Sequence, residues 1–208
     1  LSTSADVVFP NYPVDDVNDQ LLSQALFNTY LALSDPYKRT SAEITAGVTP
    51  TNYAYLQGIA FRYMTTAQKA DVEAYGFTLD VTTAVQNCMN VAWEAQCDCV
   101  LPGGGYLVTG LTLPGASLRR ERQFIMRGFG MGEIFDRTLT GGTILKSVTD
   151  APILQYVQDV PSTGNGAADV SLIRFEGNSA TTYVVNFEAL YSQSYFHDCA
   201  IFQAGDGG

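Results

Sequence analysis

The clearest pattern along the chain is an apolar stripe that follows Asp80. Apolar side chains recur there at spacings of three and four residues, which is the period of an amphipathic α-helix. Asp80 precedes the stripe and can accept hydrogen bonds from the free backbone N–H groups of the first helical turn. The pattern predicts a helix that begins at Asp80 and covers an apolar surface with these residues: Val81, Ala84, Val85, Cys88, Met89, Ala92 and Trp93.

A second helix is predicted near the start of the chain, from Asp15 to Leu33. Carboxylates occupy its first turns, where they suit the positive end of the helix dipole, and Pro36 pushes the preceding residue out of the helical region. Leu22, Leu26 and Leu33 form a short seam that can help a stem to self-associate.

A third, short helix is predicted close to residue 40. Thr40 or Ser41 can cap its first turn, and Gly47 can end it. The segment that follows is rich in Tyr and is expected to form turns and a strand.

Beyond Cys99 the pattern changes to short apolar runs separated by turns rich in Gly. The runs lie 20 to 28 residues apart, with no helical pattern between them, and such recurrence is typical of a solenoid. A β-sandwich is the alternative, but no Asn-Gly or Asp-Gly turn joins two clear strands. We therefore expect a right-handed parallel β-helix in which each coil gives one strand to each of two or three sheets, with these marker residues: Leu101, Ile125, Leu145, Ile173 and Phe196.

Composition and charge narrow the classes of partner. The chain has 208 residues, of which 11 are Lys or Arg and 21 are Asp or Glu, so its formal net charge is −10. Such an acidic chain is a poor match for nucleic acid or for an anionic membrane surface. No apolar run reaches the ~18 residues of a membrane span, so we expect no membrane insertion. The chain begins at Leu1 and stops within its pattern, and we expect it to be part of a longer protein.

Two segments resemble the opening of pectin-lyase-like β-helix proteins. Asp80–Gln86 reads Asp-Val-Thr-Thr-Ala-Val-Gln, which is similar to the helix that caps the solenoid in that family. Cys99–Val108 reads Cys-Val-Leu-Pro-Gly-Gly-Gly-Tyr-Leu-Val and resembles the family's first coil. Gly128–Gly130 and Gly141–Ser147 resemble the coils that follow.

A further segment resembles bacteriophage tailspikes in particular. Ala46–Tyr55, together with Arg62 and Tyr63, is similar to the connector that precedes the capping helix in those proteins. The resemblance covers Thr40 to Gly208. One departure is the segment Tyr75–Asp80, which is shorter than the family's usual Gly-Asp-Gly approach to the helix.

The resemblance implies a trimeric tailspike or tail fibre on the virion, assembled in the host cytoplasm. Residues 1–63 would be the virion-attachment and stem segment and would bind phage tail or baseplate proteins. Residues 64–97 would be the connector and capping helix, and residues 98–208 the first coils of a β-helix that continues beyond Gly208. The downstream part would bind, and in many members cleave, a host surface polysaccharide.

Two other functions are compatible with the same fold. One is a secreted bacterial or fungal β-helix polysaccharide hydrolase or lyase, which would carry a signal peptide upstream and complete catalytic carboxylates on later coils. The other is a purely structural virion adaptor. The neighbourhood of the full gene discriminates the first of these from a tailspike.

Polysaccharide hydrolysis needs two carboxylates at a defined separation. Glu176 and Asp198 each follow a marker strand and would stack about 4.8 Å apart if they lay on adjacent coils. The competing interpretation is that each is a turn carboxylate bonded to nearby backbone N–H groups. We therefore assign no catalytic residue within the chain, name Glu176 and Asp198 as the only candidates, and leave open whether the full-length protein is a depolymerase.

Other groups with reactive side chains are expected to be structural. His197 and Asp198 are consecutive on a predicted strand and should point to opposite faces, which argues against a catalytic dyad. Cys97-Asp98-Cys99 and His197-Asp198-Cys199 lack the usual spacing of zinc ligands, and we interpret the cysteines as small buried thiols. Arg119–Arg122 is expected to be a solvated loop. No metal or cofactor is predicted.

Overall fold

Short parallel strands follow a set of helices in the described part of the chain. The computed structural model describes residues 37–114, 123–132, 139–147, 149–156, 167–178, 183–187 and 194–203. The helical elements in these residues are α1 (Ser41–Thr45), the 3-10 turn Ala60–Tyr63, α2 (Thr66–Glu73) and α3 (Thr82–Ala95). They are followed by the eleven described strands, β1 to β11.

The strands form three parallel sheets. Sheet A contains β1 (Cys99–Val100), β4 (Phe124–Arg127), β7 (Ala168–Ser171) and β10 (Tyr195–His197). Sheet B contains β2 (Gly104–Val108), β5 (Thr143–Ser147), β8 (Arg174–Gly177) and β11 (Ala200–Gln203). Sheet C contains β3 (Leu111–Thr112), β6 (Leu154–Tyr156) and β9 (Val185–Phe187). Each strand pairs with the strand three further along, so the chain visits the sheets in a constant order.

Inward residues of successive strands stack in register and share one core. Apolar side chains at register positions belong to one buried cluster, so adjacent strands shield each other's inward side chains from solvent. These stacked residues are fully buried: Cys99, Met126 and Val170 in sheet A, Tyr106, Leu145 and Phe175 in sheet B, and Leu111 and Leu154 in sheet C.

The predicted mainly β fold with parallel sheets is confirmed, but the predicted spacing of the coils is wrong. Ile125 and Phe196 lie in sheet A, and Leu145 lies in sheet B. Leu101 and Ile173 lie in turns between strands of these two sheets. The marker residues therefore do not occupy equivalent positions, because strands of different sheets have similar apolar patterns. Along sheet A, successive register positions are 27, 44 and 26 residues apart, at Cys99, Met126, Val170 and Phe196.

Helix α3 confirms the predicted apolar stripe, since all seven of its predicted residues are buried. The helix begins two residues after Asp80, and the Asp80 carboxylate accepts a hydrogen bond from the Thr82 N–H at 2.7 Å. On the other side of the helix, the Gln86 amide exchanges two hydrogen bonds of 2.9 Å with the backbone of Thr112 in β3. The helix is thus bonded directly to β3.

Residues 37–63 pack against α3 and belong to the same compact unit, which spans residues 37–208. Helix α1 has the predicted Thr40 cap and is followed by Gly47 at φ 69°. A buried ion pair between Glu43 of α1 and Arg62 of the 3-10 turn ties this segment together. The turns predicted after Gly47 are observed, but the predicted strand is reduced to a single bridge between Ile59 and Val100 ahead of the 3-10 turn.

The segment that links α2 to α3 covers the outer face of sheet B. The ring of Phe77 occupies the space beside Gly105 that a larger residue would need: a Cβ at this position would lie 2.6 Å from the ring. The Tyr75 hydroxyl donates a 2.9 Å hydrogen bond to the carbonyl of Gly142 in the turn before β5. These contacts hold the linker against the first two coils.

Some predictions fall on residues that the structure does not describe. The helix from Asp15 to Leu33, its seam of Leu22, Leu26 and Leu33, and the loop Arg119–Arg122 all lie outside the described residues. Among the residues that are described, no helix has the length and apolar character to cross a membrane.

Candidate functional site

The outer face of sheet A carries a polar cluster around His197, the last residue of β10. Parallel pairing places His197 beside Ser171 of β7, and Asp169 lies two residues earlier on the same face of β7. The His197 Nε2 atom is 3.1 Å from a carboxylate oxygen of Asp169, although 28 residues separate the two in sequence. The pairing of β7 with β10 therefore brings these groups together.

Asp198 completes the cluster, and its position corrects the prediction from strand alternation. The His197 Nδ1 atom is 2.8 Å from the Asp198 carboxylate, so the two side chains do face each other. Asp198 has φ 51°, in the left-handed region, because it begins the turn that ends β10. Leu172 occupies the equivalent position after β7, with φ 60°, and its N–H donates to the Asp198 carbonyl at 3.1 Å.

Both carboxylates favour the charged form of the His197 imidazole. The hydrogen bond with Asp198, followed by Coulomb attraction to Asp169, raises the pKa of His197. When protonated, the ring donates through both nitrogens, one to each carboxylate. The protonated ring would therefore lie between two acceptors. The ring is half exposed, at 52%, so solvent screens these interactions.

Glu176 lies on sheet B and forms no part of the His197 cluster; its contacts are with residues of sheet B. Its carboxylate forms an ion pair of 2.5 Å with Arg174, two residues earlier on the same face of β8. The Arg174 guanidinium also lies over the ring of Phe202, at 4.7 Å from the ring centre. Phe202 and Lys146 are the register neighbours of Glu176 on the adjacent strands. The carboxylate is largely buried in this arrangement, at 8% exposure.

The predicted stacking of Glu176 with Asp198 is wrong. Glu176 lies within a strand of sheet B, whereas Asp198 lies in a turn that follows sheet A. The nearest register neighbour of Glu176 on the last coil is Phe202, which is not a carboxylate. The two candidate residues thus occupy non-equivalent positions on their coils. Each is paired instead with a basic group, Arg174 or His197.

The cysteines follow the prediction of small thiols in part. Cys88 and Cys99 are fully buried, whereas Cys97 and Cys199 are partly exposed. The Cys88 and Cys99 sulfur atoms lie 3.4 Å apart. In the described ranges, no group of three or more His, Cys, Asp or Glu side chains is arranged to hold a metal ion.

Two of the site residues that the structure reveals were not singled out from the sequence. Asp169 contacts His197 only because β7 and β10 are adjacent, and Arg174 contacts Glu176 only because both point outward from β8. The second contact has a local signal, since residues two apart on a strand share a face. The first requires the register of the sheet, which no local pattern provides.

Comparison of the chain with protein-family models, with curated proteins and with solved structures gave no match.

Proposed function

We propose that the chain is the N-terminal part of a bacteriophage tailspike, and that its three parallel sheets are the first coils of a right-handed parallel β-helix. The observation that carries this proposal is the pairing of every strand with the strand three further along, directly after a helix that lies across the first coil. A chain that visits three sheets in a constant order builds a solenoid from successive coils.

The position of α3 supports its role as the cap of the solenoid. β1, β2 and β3 are edge strands of their sheets, and an uncovered edge invites pairing with other chains. α3 packs against β1 and β3, and the linker ahead of it covers β2. Residues 37–63 pack on α3 in turn. The free edge of the first coil is therefore covered by other parts of the chain, as a solenoid requires for its terminal repeat.

The opposite edge supports the continuation of the solenoid. Ile201 occupies the core position of β11, in register with Phe175. It is 52% exposed, whereas its counterparts Tyr106, Leu145 and Phe175 are fully buried. A large apolar side chain that is exposed at a core position is suited to burial by another coil.

In this proposal the chain attaches the trimeric spike to the virion and positions the coils that follow. Residues 1–63 bind a phage tail or baseplate protein, and the downstream β-helix binds, or binds and cleaves, the host polysaccharide. No catalytic pair is assigned within the chain, because Glu176 and Asp198 are separated and each is paired with a basic group. This arrangement favours a positioning role for these coils over catalysis.

Labelling of virus particles tests the proposal. Antibodies raised against the chain, bound to gold, should mark the tail of particles whose genome encodes it. Serum depleted with the purified chain should leave the same particles unmarked. Unmarked particles, together with the protein in the culture medium of a cell that encodes it next to secretion genes, would instead indicate a secreted polysaccharide enzyme.

A second experiment tests the attachment segment. The full chain, added in excess during particle assembly, should compete with the native spike and reduce the number of spikes per particle. A chain that lacks residues 1–36 keeps the compact unit of residues 37–208 and serves as the matched control. Equal competition by both chains would place attachment outside residues 1–36, and no competition by either would contradict attachment through residues 1–63.

A further inference from the structure

We infer that Cys88 and Cys99 form a disulfide site that joins α3 covalently to the first strand of sheet A. Their sulfur atoms lie 3.4 Å apart, and both side chains are fully buried. The inference is independent of the proposed function, since it rests only on the contact between the helix and the first coil.

The contact follows from the way α3 ends. Gln96 has φ 54°, in the left-handed region, and reverses the chain after the last helical turn. The Cys97 N–H then donates to the carbonyl of Ala92 at 3.0 Å, which directs the chain back along the helix. β1 begins two residues later, so Cys99 lies beside Cys88 at a sequence separation of only eleven positions.

Each sulfur is held in place by a separate element. Cys88 lies in the buried stripe of α3, and Cys99 is held by the parallel pairing of β1 with β4, in register with Met126. A disulfide bond is about 2.05 Å long, so the sulfurs need to approach by only about 1.4 Å.

Burial keeps the pair reduced until the first strand opens. Burial and the contact with Cys99 raise the pKa of the Cys88 thiol, and the thiolate is the reactive form. β1 has only two residues and lies at the edge of sheet A, and the adjacent Cys97 is already partly exposed. Local opening of β1 is therefore the step that admits an oxidant to Cys99.

The oxidant that we name is a low-molecular-weight disulfide such as oxidised glutathione. The Cys99 thiolate attacks one of its sulfurs, forms a mixed disulfide and releases one thiolate, which takes up a proton. The Cys88 thiolate then attacks the Cys99 sulfur, which forms the Cys88–Cys99 bond and releases the second small thiol. In total, two electrons and two protons pass from the protein thiols to the small disulfide.

Peptide mapping of the full chain tests the site. Cleavage after Glu94 and before Asp98 places Cys88, Cys97 and Cys99 on three different peptides. After incubation with oxidised glutathione, remaining thiols are blocked with N-ethylmaleimide before cleavage. We expect the Cys88 and Cys99 peptides to be joined, with Cys97 blocked, and dithiothreitol to separate them. Three blocked cysteines, or Cys97 joined to either neighbour, would overturn the inference.

Two matched variants add a second readout. Cys97→Ser should keep the full yield of the cross-link, and Cys88→Ala should abolish it. The oxidised chain should unfold at a higher temperature than the reduced chain, because a cross-link restricts the unfolded state. That shift should persist in Cys97→Ser and vanish in Cys88→Ala. Loss of the cross-link in Cys97→Ser would overturn the assignment, even if Cys88→Ala failed to fold.

Discussion

Arg62 donates a hydrogen bond from every one of its five guanidinium N–H groups, and Glu43 accepts two of them. The other three go to backbone carbonyls of Tyr37, Lys38 and Tyr55, at 2.6 to 3.2 Å. Both side chains are 0% exposed. A buried charge is tolerated when its partners are complete, and this pair meets that condition. It binds residues 37–63 into one unit beside α3.

Glu43→Gln is expected to destabilise the protein by about 3–5 kcal/mol, because it leaves the buried Arg62 charge without its counterion. The measurement is the free energy of unfolding from a urea titration. Glu73→Gln is the matched control, since the Lys69–Glu73 pair is an exposed i,i+4 pair. We expect that change to stay within about 0.5 kcal/mol. Equal effects of the two substitutions would contradict the role of the buried pair.

The same pair predicts a loss of stability in acid. Burial tends to raise the pKa of Glu43, but the hydrogen bonds from Arg62 and Thr40 outweigh it, so the pKa is lowered on folding. A carboxyl with a lowered pKa contributes stability above its unfolded pKa, and loses it as the pH falls through the folded pKa. In Glu43→Gln, the free energy of unfolding should therefore fall less steeply as the pH is lowered. An unchanged pH dependence would show that other carboxyls determine it.

Gly128→Ala is expected to destabilise the stack by about 1–3 kcal/mol through overpacking. A Cβ at Gly128 would lie 2.2 Å from the Leu172 carbonyl oxygen, which is backbone of the next coil and cannot move aside. Gly103→Ala is the control, because its nearest new contact would be an ordinary 3.4 Å. Thermal unfolding of both variants tests the close approach of the coils. Similar midpoints for both would contradict it.

Gln96→Gly is expected to stabilise the chain by about 0.5–1 kcal/mol, because glycine adopts the left-handed conformation without the strain of a Cβ. Gln96 is exposed and ends α3 with φ 54°. Asn87→Gly, within the same helix, should give no gain, since glycine weakens a helix interior. The two unfolding midpoints test this, and a gain from Asn87→Gly would point to an effect on the unfolded chain.

Asp198→Asn is expected to lower the pKa of His197, because it removes the carboxylate that hydrogen-bonds Nδ1. His197 is the only histidine, so a single imidazole resonance reports its titration by NMR. Asp98→Asn should leave that pKa unchanged, since Asp98 precedes β1 at the opposite edge of sheet A. Because the pKa of His197 is raised in the folded protein, its protonated ring contributes stability below the unfolded pKa. This contribution is lost as the pH rises through the folded pKa. An unshifted resonance in Asp198→Asn would contradict the contact.

Patterns local in sequence predicted helices α1 and α3 and the class of sheet. The stripe from Val81 to Trp93 predicted α3 because helical period is visible within one element. Helix α2 was not predicted, although Thr65 and Gln68 form a capping box that marks its start. Most of its residues are polar, so the spacing of apolar residues did not indicate a helix in this segment.

Contacts that depend on register lay beyond local patterns. Asp169 contacts His197 only after β7 and β10 align in register. Alternation failed at Asp198 because a left-handed residue other than glycine ends the strand there. Successive register positions along sheet A lie 26 to 44 residues apart, so no fixed period could have set the register in advance.

The solution mass of the full 208-residue chain, measured by light scattering, tests the tailspike assembly most directly. A trimeric spike predicts three times the chain mass of 22.5 kDa at every concentration where the protein is folded. Folding is checked in the same sample by the unfolding transition. A folded chain with a mass of 22.5 kDa across the concentration series would contradict a trimer built by these residues.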